Sequence, residues 1–434
     1  MKHLKGVVLG FYGLGCGRAA MERLTPEDEI FQNEDALRDH YPDRILERDE
    51  KLTEYQNKFK EVVRNKRPRN VFVYGPTGVG KTIGTKAVLQ NIQDSIDEFD
   101  YADSRFEEPS LRAVHLECKD LNTSYQVAAH LVNQLRLGTD RDQINTTGYP
   151  EGRIYQMLFD ELQNVEESHV LIALDEIDNI GGDDNILYKL PRCNNDNSAN
   201  HVDPDDTKVG VIGVTNDGTF KDTLDPRAKS TLCDREIHFP PYNANELQTI
   251  MRDRARVAFH DGVLTDDVIP LAAALAAQRS GYARTALDLL YEAADRARDS
   301  DEGIIEARHV REAEEGIQQG AIVKEVKGLS SQGTLVSYAM VRLDEEHELP
   351  AKLDKVYAWY ERFAKQIDAD TVTPRTVHTT LNDLMINGVV TSREVNKGVS
   401  GGRHYEYELG CPKELVMDGM EGNSRLSDID DRLS

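Results

Sequence analysis

Gly75-Pro76-Thr77-Gly78-Val79-Gly80-Lys81-Thr82 fits the pattern G-x-x-x-x-G-K-[ST] at every fixed position. Its flanks agree. Val71-Phe72-Val73-Tyr74 reads as a short buried strand, and the stretch from Thr82 to Ile96 reads as a helix. A phosphate-binding loop needs that strand–loop–helix order, because glycines let backbone N–H groups turn inward around phosphates and the helix N-terminus adds free donors. The bland alternative is a Gly-rich turn that happens to precede a helix. On the functional reading Lys81 reaches the β and γ phosphates of a nucleotide and Thr82 ligates magnesium.

The second half of such a site lies about ninety residues on. Val170-Leu171-Ile172-Ala173-Leu174 is an unbroken apolar run followed by Asp175-Glu176-Ile177-Asp178. A run of this length suits a strand buried on both faces, as in a parallel sheet. Ligands of open α/β sheets bind at the C-terminal strand edge, where Asp175 and Glu176 stand. Asp175 is expected to hold magnesium through water, and Glu176 to polarise the attacking water; the alternative is a pair of solvated carboxylates capping a strand. Val209 to Val214 reads as another buried strand, ending at Asn216. Asn216 either hydrogen-bonds the γ phosphate or its water, or is a turn residue. Further strands are expected at 113–118 and at Glu236 to Phe239, the latter running into Pro240-Pro241-Tyr242.

With 434 residues and 39% hydrophobic residues, the chain has room for two to four domains. Its 77 Asp and Glu far outnumber 52 Lys and Arg, for a net charge of −25, and they are spread along the whole length. That composition resembles the surface of a protein from a high-salt cytoplasm, where screening makes dense negative charge tolerable. The five cysteines are scattered and none forms a C-x-x-C pair, which suits reduced cytoplasmic thiols. No apolar run reaches transmembrane length, and no membrane partner is expected. Residues 1–20 faintly resemble a signal peptide. The preferred expectation is that Met21 is the true start, with the preceding residues an upstream misannotation or a disordered tail.

Helices are expected over 49–65, 125–135 and 152–165, with a polar loop from Gly138 to Pro150 and a solvated basic connection from Arg64 to Arg69. From Asn243 to about Gly320 the pattern is helical throughout, as in the small helical lids of nucleotide-binding sheets. Beyond it lie helices at 329–343 and 353–367 and a third opened by Thr373 and Pro374. A hairpin from Val389 to Leu409 follows, completing a winged helix-turn-helix pattern. A non-DNA appendage or a protein-binding winged helix gives the same pattern. Within 371–410 four basic residues face four acidic ones, a net of zero, so this module lacks the acidic excess of the rest. Val377, Leu381 and Leu384 commit one face of the third helix to a core. The other face offers Arg375, Thr376, Thr379 and Asn382, with His378 at its edge, for base contacts, while Lys397 and Arg403 in the hairpin can reach phosphates or a minor groove.

Taken together, residues 30–410 resemble the archaeal origin-recognition and replication-initiator (Orc/Cdc) family of AAA+ ATPases, of haloarchaeal type. The more specific stretches are Pro42-Asp43-Arg44-Ile45-Leu46-Glu47-Arg48, Leu174 to Asp178, Leu224-Asp225-Pro226-Arg227-Ala228-Lys229-Ser230 and Gly281-Tyr282-Ala283-Arg284-Thr285-Ala286-Leu287. The resemblance implies an α/β fold: a AAA+ P-loop domain with a parallel sheet over 22–242, a helical lid over 243–325 and a C-terminal winged helix-turn-helix domain over 326–410. Residues 1–21 are then an extension and 411–434 a frayed acidic tail. It implies that Pro42, Arg44, Ile45 and Arg48 line the adenine pocket with Tyr242 nearby. Asn216 becomes the first sensor, Arg227 an arginine finger acting on a neighbouring protomer, and Arg284 a lid sensor that touches the γ phosphate. Each of these arginines has a structural ion pair as its alternative. Tyr282 stands where many relatives carry Asp, and the Gly138–Pro150 stretch falls where the family's insertion grips DNA, although it is not clearly basic. The implied cofactors are ATP/ADP and magnesium. The implied partners are double-stranded origin DNA, the replicative helicase, and the protein itself or a paralogue on DNA. The rivals are an ATP-sensing winged-helix transcriptional regulator, a divergent paralogue that serves no origin, and a remodelling motor without DNA specificity.

Overall fold

The computed structural model describes residues 28–38, 45–102, 104–180, 182–195, 201–300, 302–396 and 403–421. Pro42, Arg44, Lys397, the 1–21 extension and the chain beyond 421 lie outside the described residues.

Five strands form one parallel sheet: β1 (Val71–Tyr74), β2 (Leu111–Glu117), β3 (His169–Asp175), β4 (Lys208–Thr215) and β5 (Arg235–His238), in the order β2-β3-β4-β1-β5. Every residue of β3 is buried, as its unbroken apolar run requires. Alternate residues face opposite sides. Val71, Val73, Leu171, Ala173, Ile212 and Val214 join one core cluster, while Phe72, Val170, Ile172, Leu174, Val209 and Val211 join the other. Helices α1 (Asp49–Gln56) and α2 (Lys81–Glu98) cover the first face, and α3 (Ser124–Arg136) and α4 (Glu151–Gln163) the second. Short α5 (Pro226–Leu232) is capped by the Asp225 side chain, which accepts from the Arg227 N–H.

The first cluster does not stop at the sheet. It runs on through α6 (Ala244–Ala258), α7 (Val268–Arg279) and α8 (Ala283–Asp299), taking in Leu247, Met251, Ala272 and Leu290. The helical unit and the sheet therefore share one core. The third unit has its own core. Helices α10 (Ser331–Glu345), α11 (Leu353–Gln366) and α12 (Pro374–Ile386) pack with an antiparallel sheet of β6 (Ala351–Lys352), β8 (Arg403–Leu409) and β7 (Val390–Asn396) around Tyr338, Phe363, Leu381 and Tyr407.

Helix α9 (Ala307–Lys327) joins the two cores. Val310 and Ala313 belong to the first and Val326 to the third. Its 21 residues span about 31 Å at 1.5 Å per residue. The expected border at 325/326 thus falls inside a helix, with no linker, because apolar side chains at both of its ends are buried. The expected frayed tail from 411 also begins with structure. Residues Lys413–Met420 form α13, with Val416 and Met420 buried. A Cβ at Gly419 would lie 2.6 Å from Val326 Cβ, so the glycine is what lets α13 seat on α9. The short β6, two residues long, carried no sequence signal. Among the described residues no helix is long and apolar enough to cross a membrane.

Candidate functional site

The loop between β1 and α2 turns on glycines whose geometry excludes side chains. Gly75 has φ +151°, and a Cβ there would sit 2.2 Å from Phe239 O. Gly78 has φ +79° and would press a Cβ to 3.2 Å from Arg284 Cβ. The loop is therefore held from one side by the end of β5 and from another by the start of α8. The Ala283 N–H donates to Gly78 O at 3.1 Å, and the Tyr242 N–H donates to Gly281 O at 2.8 Å.

A cavity of about 400 Å³ opens above this loop. Thr77, Gly78, Gly80, Lys81 and Thr82 form its floor, Glu176 and Asn216 its sheet edge, and Tyr242 and Arg284 part of its lid side. Ile45 lies on its wall. The mixture of a polar floor and an apolar wall suits a nucleotide, with phosphates on the loop and the base against aliphatic side chains.

Lys81 is buried. Its ammonium donates to Gly75 O (2.8 Å), Pro76 O (2.7 Å) and Asn216 Oδ1 (2.7 Å). Burial pulls its pKa down to about 8 against the attraction of Asp175, Asp178 and Glu176. Asn216 Nδ2 donates in turn to Glu176 Oε1 at 3.3 Å. One amide thereby bridges the cation of the loop and the carboxylate of β3. Asp178 holds the backbone that carries Asn216, accepting from Thr215 Oγ1 (2.8 Å) and the Asn216 backbone N–H (3.3 Å).

Asp175 is buried at the tip of β3. Burial works against its charge. The contact with His115 Nε2 at 3.4 Å, the Thr82 hydroxyl and the Glu176 N–H (2.9 Å) outweigh it and hold the carboxyl below the usual carboxylate range. A hydroxyl and an ionised carboxylate together are the hard oxygen donors that magnesium takes beside phosphates. Glu176 itself sits at φ +55°, in the left-handed region. For a residue other than glycine this costs roughly 1–3 kcal/mol and is found chiefly where function requires an orientation.

Two arginines stand away from the cavity. Arg48 does not line the cavity. Its buried guanidinium lies 3.6 Å from the Tyr242 ring centroid and donates to Val79 O and Pro240 O, bracing the loop from behind. Arg227, in contrast, is exposed on α5, paired with Asp225 at 3.1 Å and away from the cavity of its own chain. Several wall residues were missed. Leu37, Arg38, Ile250, Asp253, Arg254 and Leu287 come from separate helices and loops, and only their convergence marks them. His115 and Asp178 were also given no role, although Asp178 follows the acidic pair by two residues.

In the third unit Val377, Leu381 and Leu384 are fully buried, while Arg375, Thr376 and Thr379 are exposed on α12. The Thr373 side chain caps the helix by accepting from the Thr376 N–H. His378 and Asn382 are half-buried and hydrogen-bonded to each other at 3.3 Å. In the hairpin Arg393 pairs with Glu406 at 3.0 Å and Arg403 with Glu394. In the Gly138–Pro150 loop the one cation, Arg141, is bound to the buried Glu161 at 2.6 Å, as is Arg136.

A parallel sheet of this strand order, a phosphate loop, an acidic strand tip and a helical lid bonded to that loop define a AAA+ ATPase, here carrying a winged helix. Family comparison agrees segment by segment. Residues 64–214 match the AAA domain family, 248–315 the Cdc6 AAA+ ATPase-type lid domain and 324–419 the CDC6 C-terminal winged helix domain. The chain is 44% identical over 425 residues to ORC1-type DNA replication protein 1 of Haloarcula marismortui, covering 94% of this chain and 96% of that protein. It is 36% identical over 399 residues to an ORC1-type DNA replication protein of Thermococcus kodakarensis, covering 91% and 92%. The structure of the Aeropyrum pernix ORC1 protein in complex with DNA superposes with a TM-score of 0.70 at 29% identity, over 93% of this chain and 100% of that one. The chain belongs to the ORC1/Cdc6 family of archaeal DNA replication proteins. It binds nucleotide as a AAA+ ATPase, and the haloarchaeal relatives fit its acidic composition.

Proposed function

We infer that this protein initiates DNA replication as an ATP-dependent, origin-binding factor. The observation that carries the ATP dependence is the hydrogen bond from the Ala283 N–H to Gly78 O. It ties the first residue of the lid helix to the phosphate loop, beside Arg284 on the cavity wall. The lid shares its core with α9, and α9 runs unbroken into the winged helix. Whatever moves Arg284 when phosphates enter has a rigid lever to the DNA-reading unit.

The steps follow from the site. An incoming triphosphate competes with Gly75 O, Pro76 O and Asn216 for the Lys81 ammonium. Release of Asn216 frees its amide for the γ phosphate and loosens its hold on Glu176, which then orients the attacking water. Thr82 and Asp175 would hold magnesium, which neutralises phosphate charge when bound. Arg284 adds positive charge from the lid, and Arg227 from a neighbouring protomer. ATP acts mainly as a conformational ligand, with slow hydrolysis resetting the state.

On DNA, Arg375, Thr376 and Thr379 read base edges, and the occupied state helps place the replicative helicase on the chromosome in the cytoplasm. The test is chromosome-wide mapping of binding, with wild type and Arg284→Ala compared. Enrichment at a replication origin that weakens in the variant is the expected result. Enrichment at promoters alone would favour a transcriptional regulator instead.

A further inference from the structure

The N-terminal edge of the sheet, opposite the nucleotide cavity, carries a second concavity of about 490 Å³. Arg67, Arg69 and Arg192 wall it, with Ser230 and Thr231 at its rim. Its one acidic lining residue is Asp234, so three positive charges face one negative, a local balance of plus two in a chain of −25. The pairing differs from that of the arginines held by several carboxylates. Arg298 alone is bound by three carboxylates, Asp28, Glu34 and Asp295. Here one carboxylate lines the pocket with three guanidiniums, and it pairs with Arg69 at 3.5 Å. Arg67 is aimed by neutral partners, Asn195 Oδ1 (2.9 Å) and Asn194 O (3.4 Å), and Arg192 lies 5.1 Å from the Tyr188 ring centroid. None of these partners neutralises charge.

The floor is rigid. Asn70 donates to Pro191 O and Thr231 O, both at 3.2 Å, and accepts from the Val211 N–H at 3.0 Å. It ties three elements together beneath the arginines, so their spacing is set before any ligand arrives. In an acidic protein this is a costly arrangement for solubility alone, since the partners of Arg67 and Arg192 are neutral groups rather than carboxylates.

We propose that this pocket binds phosphate groups, through directed bonds from Arg67 and Arg192 with Arg69 at the rim. A guanidinium fork matches two phosphoryl oxygens at once, whereas chloride offers a single sphere. Directed recognition of this kind survives concentrated salt, where long-range attraction is screened. The phosphate belongs either to a nucleic-acid backbone or to a free phosphate compound, and the two sources share the same chemistry.

The test uses the full chain saturated with ADP, so that the nucleotide cavity is filled. Thermal shift with pyrophosphate and fluorescence anisotropy with a duplex are measured for wild type, Arg67→Gln/Arg192→Gln and Ser230→Glu. The second variant sets a carboxylate at an exposed rim position and leaves the arginines in place, so it reads the pocket even where the double variant folds poorly. ADP affinity, set at the other edge of the sheet, is expected to stay unchanged. Duplex affinity lowered by about tenfold, with a salt slope flatter by about 0.9 per phosphate lost, assigns the pocket to a nucleic-acid backbone. Loss of the pyrophosphate shift alone assigns it to a free phosphate compound. Wild-type behaviour of both variants in both measurements overturns the proposal. A wild-type chain that binds no duplex at all would instead sink the origin-binding reading, while the pyrophosphate measurement still tests the pocket.

Discussion

The nucleotide cleft and the winged helix handle charge in opposite ways. In the cleft Lys81 and Asp175 are buried, their partners are fixed, and Glu176 is held in a strained backbone conformation. In the winged helix the cations are on the surface, and Arg393 and Arg403 are each occupied by a glutamate of the same hairpin. The difference follows from the two ligands. A triphosphate is engulfed, so desolvated groups can be aimed at it in advance. DNA is met across a surface, and exposed ion pairs stabilise little, so they exchange partners readily.

The largest effect is expected in the cleft. Glu176→Gln removes the base that orients water while keeping the amide contact to Asn216. Hydrolysis should fall by about 10²–10⁴-fold with ATP binding retained, measured by single-turnover phosphate release. A variant that hydrolyses at the wild-type rate would remove Glu176 from its role and erase the contrast.

The strand that ends at Asp175 begins at His169, which gives a second way to separate the two regions. His169 is fully buried, and burial pushes its pKa from 6.5 down to about 4. Between those values the unfolded chain binds the extra proton, so stability falls as pH falls through the window. The loss approaches about 3 kcal/mol. Trp359, the single tryptophan, sits in the winged helix against Phe363. Nucleotide binding should therefore be lost at a higher pH than the change in Trp359 emission, and His169→Asn should shrink the gap. Coincident transitions in both variants would show that the two cores melt as one.

On the DNA side, Arg375→Ala should cost about 1–3 kcal/mol on the cognate duplex and relax sequence preference, read by competition against scrambled duplex in concentrated KCl. The smallest effect is expected at the hairpin. Arg403→Ala should change affinity by less than about 1 kcal/mol because the guanidinium must first leave Glu394, whereas Glu394→Gln should raise affinity for any sequence. If Arg403→Ala weakens binding as much as Arg375→Ala, the pairing seen in the hairpin does not restrain that arginine.

The two regions also differ in how legible they were. Lys81, Thr82, Asp175 and Glu176 stand in short motifs because a phosphate loop and a strand tip are local structures, built from consecutive residues. The buried face of α12 was equally legible, since Val377, Leu381 and Leu384 follow helical spacing. Arg48 was visible as part of a family stretch, but its position behind the loop depends on where Tyr242 and Pro240 arrive from the far end of the sheet domain.

By itself, the sequence determined the local chemistry: the phosphate loop, the acidic strand tip, the strands of the parallel sheet, and the acidic surface. These depend on residues near one another in the chain or on composition. Only the tertiary structure decided which distant residues meet. It set Asn216 between Lys81 and Glu176, closed the cavity wall with Leu37, Ile250 and Leu287, carried α9 across two cores and seated α13 on it. It also turned the basic run at Arg67 and Arg69 from a simple connection into the wall of a pocket with Arg192. The physical reason is that such contacts are set by packing over long sequence separation, and neither periodicity nor charge along the chain encodes which partner will be opposite.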